Sequence, residues 1–249
     1  MNRRMALSVF GLALLAGSAA ALVLPARWIM AVLPDRLPLT VVDARGTLWS
    51  GSATLAVGTP ARRRTLPEPV QWRLAFSPGP RLLVSHPWLG GPVSVAPSWK
   101  GIRISAQTLQ LPAAVLGTLD ARIAAIGPAG ELAAKWPATF LSPGGQPAGA
   151  RLLDIEWRGA ASSLTPVRPL GDYVLSLKQG AHGQADLMLS TRQGPLQLDG
   201  AGTLDGRGLR FEGTAQAAPD ADADIHAGLR DLLAALGPQK NNQALLSFR

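Results

Sequence analysis

The chain is 249 residues long, carries 24 Lys/Arg against 16 Asp/Glu for a formal charge of +8, and contains no cysteine. Without thiols there is no disulfide framework, thiolate metal site or thiol nucleophile, so stability has to come from burial. Without Arg3 and Arg4 the excess is +6, and it is spread along the chain apart from Arg62-Arg63-Arg64, read as a solvated loop; a diffuse excess with few interleaved aromatics argues against a nucleic-acid partner.

Residues 5–24 read MALSVFGLALLAGSAAALVL, twenty residues without a charge. At about 1.5 Å per residue such a helix covers the ~30 Å hydrocarbon core of a bilayer. Met5, Leu7, Val9, Phe10, Leu12, Leu14, Leu15, Leu22, Val23 and Leu24 supply its large apolar surface. Arg3 and Arg4 precede it and the first acid is Asp35, so residues 1–4 are expected in the cytoplasm and the bulk of the chain on the far, periplasmic side of a bacterial inner membrane. Ala19-Ala20-Ala21 offers small residues to a signal peptidase, but the apolar run continues through Leu24 with no polar segment before the cut, which favours a retained single-pass anchor. Residues 25–38, with Arg27 and Trp28, are expected to be a juxtamembrane linker.

From residue 39 to 249, short alternating segments recur between Gly and Pro punctuation, predicting a mostly β domain with a curved, largely antiparallel sheet. Strands are expected at 39–48, 51–58, 81–86, 101–106, 130–136, 172–179, 184–191, 195–204 and 207–216. In a further strand Val70, Trp72, Leu74 and Phe76 share one face, and in another Leu153, Ile155 and Trp157 alternate with Asp154, Glu156 and Arg158. Pro112 is placed to start a short helix over 111–119. Ile225, Leu229, Leu232, Leu233 and Leu236 follow a helical stripe, with Asp224 as expected cap and Gly237-Pro238 as stop, predicting a C-terminal amphipathic helix that packs on the sheet. The Pro/Gly stretch within 142–148 divides the domain into two halves of similar length, and the echo of Gly46-Thr47-Leu48-Trp49 in Gly202-Thr203-Leu204-Asp205 raises duplication as one origin for them.

Catalytic chemistry finds little material. His86, His182 and His226 are isolated from one another and read as surface or capped residues. Asp220, Asp222 and Asp224 alternate like the opening of a calcium loop, but Ile225 stands where its Gly belongs, so the acids read instead as a helix N-terminus. No catalytic residue, metal ligand or cofactor site is expected, and the chain reads as a non-enzyme.

The order of Gly46-Thr47-Leu48-Trp49-Ser50-Gly51, Pro69-Val70-Gln71-Trp72, Gly130-Glu131-Leu132, Pro169-Leu170-Gly171-Asp172-Tyr173, Gly194-Pro195-Leu196 and Phe211-Glu212-Gly213-Thr214-Ala215 behind an anchor resembles the N component of the bacterial type II secretion system, the general secretion pathway protein N family. Where an Asp-Gly turn is expected near the C-terminus, this chain has Asn241-Asn242. The resemblance implies an accessory inner-membrane component that supports transport of folded exoproteins across the outer membrane, with other secretion components and inner-membrane lipid as its partners and no catalytic residues. The motif residues then have structural or interaction roles: Gly46 and Gly51 bracket a tight turn around Trp49, expected as core or groove lining, Gly171 ends a turn before Tyr173, and Pro195 opens a strand. The alternative is a lipid-bridging module with acyl chains in an open groove lined by Trp72 and Phe76, or by Ile155 and Trp157.

Overall fold

The computed structural model describes residues 24–27 and 39–248, apart from 59–62, 100, 119–120, 143–145, 148, 207 and 242. The expected anchor residues from Met5 to Val23 lie outside that set. Among the described residues no helix is long and apolar enough to cross a membrane.

The β domain forms two antiparallel sheets rather than one. The first is a hairpin meander of β1 (Leu39–Gly46), β2 (Ser50–Val57), β4 (Val70–Ala75), β5 (Arg81–Ser85), β6 (Val93–Ser98) and β7 (Gly101–Ile104), with the two-residue β3 (Arg64–Thr65) beside β2. The chain then crosses to the second sheet for β8 (Gln107–Pro112) and β9 (Ala129–Trp136), with a 3₁₀ segment at Ala113–Thr118 and helix α1 (Ala121–Ile126) between them. It returns for β10 (Thr139–Leu141), which pairs with β7. The second sheet grows through β11 (Arg151–Ala161), β12 (Gly171–Gln179), β13 (Ala185–Gln193), β14 (Leu196–Asp205) and β15 (Gly208–Ala217). Helix α2 (Ala223–Leu236) follows, and β16 (Gln239–Lys240) and β17 (Gln243–Phe248) close the sheet beyond β15.

Several expectations are corrected. The short helix expected over 111–119 is a 3₁₀ segment at Ala113–Thr118, and Pro112 stands directly ahead of it as the last residue of β8, an edge strand where a missing N–H costs no ladder bond. Phe76 lies one residue beyond β4 and is 72% exposed, so Trp72 and Phe76 do not line a common inner face. The helix cap is Asp222, whose Oδ1 accepts the Ile225 N–H at 2.9 Å, two residues earlier than Asp224. The Arg run enters β3 at Arg64. Strand β6 is not among the expected strands; its Pro97 lies beyond the residues of β6 that pair with β5. The two echoing tetrapeptides occupy unlike places: Gly46–Trp49 turns between β1 and β2, whereas Gly202–Asp205 lies inside β14.

Two cores result. The larger joins Leu170, Tyr173, Leu196, Phe211, Ala215 and Leu246 of the second sheet to Leu229, Leu232 and Leu233 of α2, so the predicted stripe does pack on the sheet. The smaller gathers Val41, Ala53 and Trp72 of the first sheet with Ala26 from the chain ahead of it.

Candidate interaction site

The turn at Gly46–Gly51 is built as a seat for the chain that leaves the apolar segment. Gly46, at φ +87°, reverses the strand direction. The Thr47 N–H donates to the Ser50 carbonyl at 2.9 Å, and the Thr47 hydroxyl accepts from the Ser50 N–H at 3.2 Å, closing the turn on itself. Its outer edge then pairs with residues 24–26: the Leu48 N–H donates to the Leu24 carbonyl at 2.9 Å, the Ala26 N–H donates to the Gly46 carbonyl at 3.0 Å, and Pro25 bridges Thr47. Ala26 is buried to 1% exposure.

Trp72 supports this seat from below. Its ring passes over Gly51, where a Cβ would come within 2.6 Å of Cζ2, and its Nε1 donates to the carbonyls of both Thr47 (3.2 Å) and Leu48 (3.1 Å). An indole satisfies its single donor this way while burying its apolar body. Trp49 is outside the core: it is 39% exposed at the hairpin tip, and its carbonyl accepts from the Leu74 N–H.

The other motif residues converge in the second sheet. Leu170 donates its N–H to the Ala160 carbonyl at 2.7 Å and accepts from the Leu196 N–H at 3.0 Å, so the Pro169–Gly171 and Gly194–Leu196 segments lie against each other. Tyr173 is buried, packs edge-on against Trp157 with ring centroids 5.9 Å apart, and donates its hydroxyl to the Leu196 carbonyl at 3.0 Å. Asp172 ties the same corner, accepting from the Gly159 N–H and the Gln193 amide, both at 2.7 Å. The Pro195 carbonyl accepts from the Ala218 N–H just before α2, and Gly213 pairs with Gly200 across β14 and β15.

Burial, and secondarily the Asp172 charge, raises the Tyr173 phenol well above its ordinary value. Since the unfolded chain ionises near the ordinary value of about 10 and the folded chain keeps its proton, stability is unaffected below that pH and falls as pH rises beyond it. Tyr173 is the chain's only tyrosine. The ultraviolet phenolate band is therefore expected to appear together with unfolding rather than before it, and Tyr173→Phe, which gives up a hydrogen bond contributing about 1 kcal/mol, should flatten this alkaline loss. A phenolate signal rising in the still-folded protein near pH 10 would contradict this.

On the same sheet Glu156 is held below the usual carboxylate range by hydrogen bonds from Lys135 (3.0 Å) and Arg158 (2.6 Å), with Arg192 at 3.5 Å. These are charge pairs of a solvated sheet face, not an acid–base pair around a cleft. The His86 Nδ1 accepts from the Trp88 N–H, and the His226 Nδ1 lies 2.9 Å from the Asp222 carbonyl, so both rings are engaged locally. Among the described residues no group of three or more acids or histidines could hold a metal ion. A depression of about 490 Å³ beside α2 is lined by Gln216, His226, Arg230 and Asn241 together with Ala217, Ala227 and Leu233, a mixed polar and apolar lining.

In the second sheet, β16 pairs with Gln243 and Ala244 of β17, and the Leu245 N–H donates to the Pro238 carbonyl at 2.9 Å just ahead of β16. Leu245 and Phe248 beyond it are exposed.

The family described as type II secretion system (T2SS), protein N, matches residues 38–249. No curated protein and no solved structure matches the chain.

Proposed function

The chain belongs to the type II secretion system protein N family, and from that premise we propose that it is an accessory, non-enzymatic component held at the bacterial inner membrane by residues 5–24. In this reading its periplasmic domain assists the export of folded proteins through contacts with other secretion components. The observation that carries the reading is the family match, which runs through both sheets. The seating of Leu24–Ala26 on the β1–β2 hairpin supports the anchor, because it couples the end of the apolar run rigidly to the domain. Beyond Leu245, whose N–H is taken by the Pro238 carbonyl, the β17 edge has no partner strand among the described residues, and with Phe248 exposed it is the kind of edge on which a protein partner adds. An acyl groove is the weaker alternative, because Trp72 is buried and Trp157 is packed against the core.

Photo-crosslinking in cells from positions 245 and 248, combined with an exoprotein assay in a deletion strain, tests this. Capture of a secretion component together with exoprotein stalled in the periplasm is the expected result. Normal exoprotein release with no secretion component captured would refute it.

A further inference from the structure

The hairpins of the first sheet share a direction. The β1–β2, β4–β5 and β6–β7 turns all lie at one end of that sheet, as the pairings Gly46↔Gly51, Ala75↔Arg81 and Ser98↔Gly101 require. Each of the three turns exposes an aromatic side chain: Trp49 at 39%, Phe76 at 72% and Trp99 at 91%. Through the cross-strand register Trp49 lies level with Leu74, which pairs with Leu82 and through it with Val95. Phe76 therefore projects two residues beyond that level and Trp99 four, so the tips step outward by roughly 7 Å per hairpin along an oblique line. Exposed aromatics at three successive tips are not accounted for by the small core beneath them, whose members are Ala26, Val41, Ala53 and Trp72.

What lies beyond that end is set by Leu24. The last residue of the apolar segment is hydrogen-bonded to Leu48, the neighbour of Trp49. If residues 5–24 cross the hydrocarbon core, Leu24 is at its periplasmic boundary and the hairpin tip is there with it. Charge agrees. Residues 39–104 carry eight Lys/Arg and two Asp/Glu, whereas residues 105–249 carry twelve and thirteen, so the excess belongs to the stretch of chain from which the first sheet is drawn. Arg27, Arg45 and Arg73 are exposed at the same end, and Arg81 folds back over the β4–β5 turn to donate to the Ser77 carbonyl. Arg45 has Asp43 as its ion-pair partner at 2.9 Å.

We propose that the hairpin end of the first sheet, through Trp49, Phe76 and Trp99 with the flanking arginines, rests in the headgroup layer of an anionic phospholipid bilayer. Tryptophan at such a boundary keeps its ring in the apolar zone and its N–H in the wet one, while arginine reaches phosphate. The inference rests on the anchor of the proposed function. It adds an orientation: the first sheet stands on the membrane by its turns, and the second sheet is carried away from it as the part left to meet proteins.

The absence of cysteine makes a unique label simple to place. Gly79, in the β4–β5 turn with nothing within 4 Å of an added Cβ, and Glu68, at the opposite end of β4, take Gly79→Cys and Glu68→Cys in the full chain. The two sites are roughly 20 Å or more apart along the strand, further than a headgroup layer is deep. With a polarity-sensitive fluorophore, in discs of phosphatidylglycerol and phosphatidylcholine, the label at 79 is expected to shift to the blue and be quenched by a lipid spin-labelled near the headgroup. The label at 68 should do neither, and Trp49→Ser, Phe76→Ser and Trp99→Ser together should remove the effect at 79. Equal water exposure of both labels in a chain that carbonate does not extract overturns the membrane contact and leaves the anchor standing. Extraction by carbonate overturns both. A blue shift at 79 that appears only in envelopes holding the other secretion components, with no quenching in pure lipid, overturns it in favour of a protein partner.

Discussion

Trp72→Ala is expected to destabilise the protein by about 3–5 kcal/mol, the range for deleting a buried aromatic. Three losses act together at this position. The indole is 8% exposed in the smaller core, so its removal opens a cavity beneath β1 and β2. The carbonyls of Thr47 and Leu48 lose their shared donor. Gly51, where a Cβ would meet the Arg45 carbonyl oxygen at 2.5 Å and the ring at 2.6 Å, then borders an empty space on the ring side. Denaturant unfolding of the full chain reads the stability. Hydrogen exchange reads the local consequence: the Leu48 and Ala26 amides, which bond to Leu24 and Gly46, should exchange faster than amides in the second sheet. Trp72→Phe keeps most of the volume and gives up the N–H, so its loss should be closer to 1 kcal/mol. Equal effects of the two variants would mean that the hydrogen bonds, not the packing, hold the seat.

Gly194→Ala should cost on the order of 3 kcal/mol, because strain and overlap combine there. Gly194 sits at φ +126°, and a Cβ would lie 2.3 Å from the Gly171 Cα and 2.6 Å from the Leu170 carbonyl oxygen, both backbone atoms that cannot rotate aside. The segments forced apart carry the Leu196–Leu170 bond and the Tyr173–Leu196 bond, so near-ultraviolet signals from Tyr173 and Trp157 should change with stability. Gly149 is the control, with φ +81° and nothing within 4 Å of an added Cβ. Gly149→Ala should show the backbone strain alone, about 1–2 kcal/mol. Gly171→Ala meets other atoms of the same pair of segments, the Gln193 carbonyl oxygen at 2.5 Å and the Tyr173 hydroxyl at 3.0 Å, so one displacement relieves both and the double variant should cost less than the two single costs added together. Equal losses at Gly149 and Gly194 would remove the close approach as the cause.

Much of the second sheet is legible residue by residue. Alternation in Leu153, Ile155 and Trp157 and the Leu229–Leu232–Leu233 stripe reflect burial on one side, a local property with a fixed period. The motif around Gly171, Tyr173 and Gly194 could be picked out from its types and order. That its two segments touch, 23 residues apart from Tyr173 to Leu196, is a consequence of hairpin register, which no local pattern encodes. Failures fall where a residue type has two uses. Proline at 112 ends an edge strand and also stands directly ahead of the expected short helix, and the strand half of that role depends on another strand lying alongside. At 241 the asparagine takes φ +52° at the β16–β17 turn, so an Asn supplies the left-handed conformation where an Asp-Gly turn was expected.

The Gly46–Gly51 turn shows where that division comes from. Its residue types, its two tryptophan neighbours and the apolar run of residues 5–24 are in the amino-acid order, and they suffice for the family, for a β-rich chain and for the expectation of an anchor. They do not say which tryptophan is inside. Trp72 and Trp49 are chemically the same, and only the β2–β4 pairing puts one over Gly51 and the other at the tip. Likewise the Lys/Arg excess looks diffuse along the chain and becomes one-sided when the strands are sorted into two sheets. Composition and periodicity are sums over neighbours in sequence, whereas exposure, seat and orientation are set by which strands lie beside one another, and that is decided when the hairpins close.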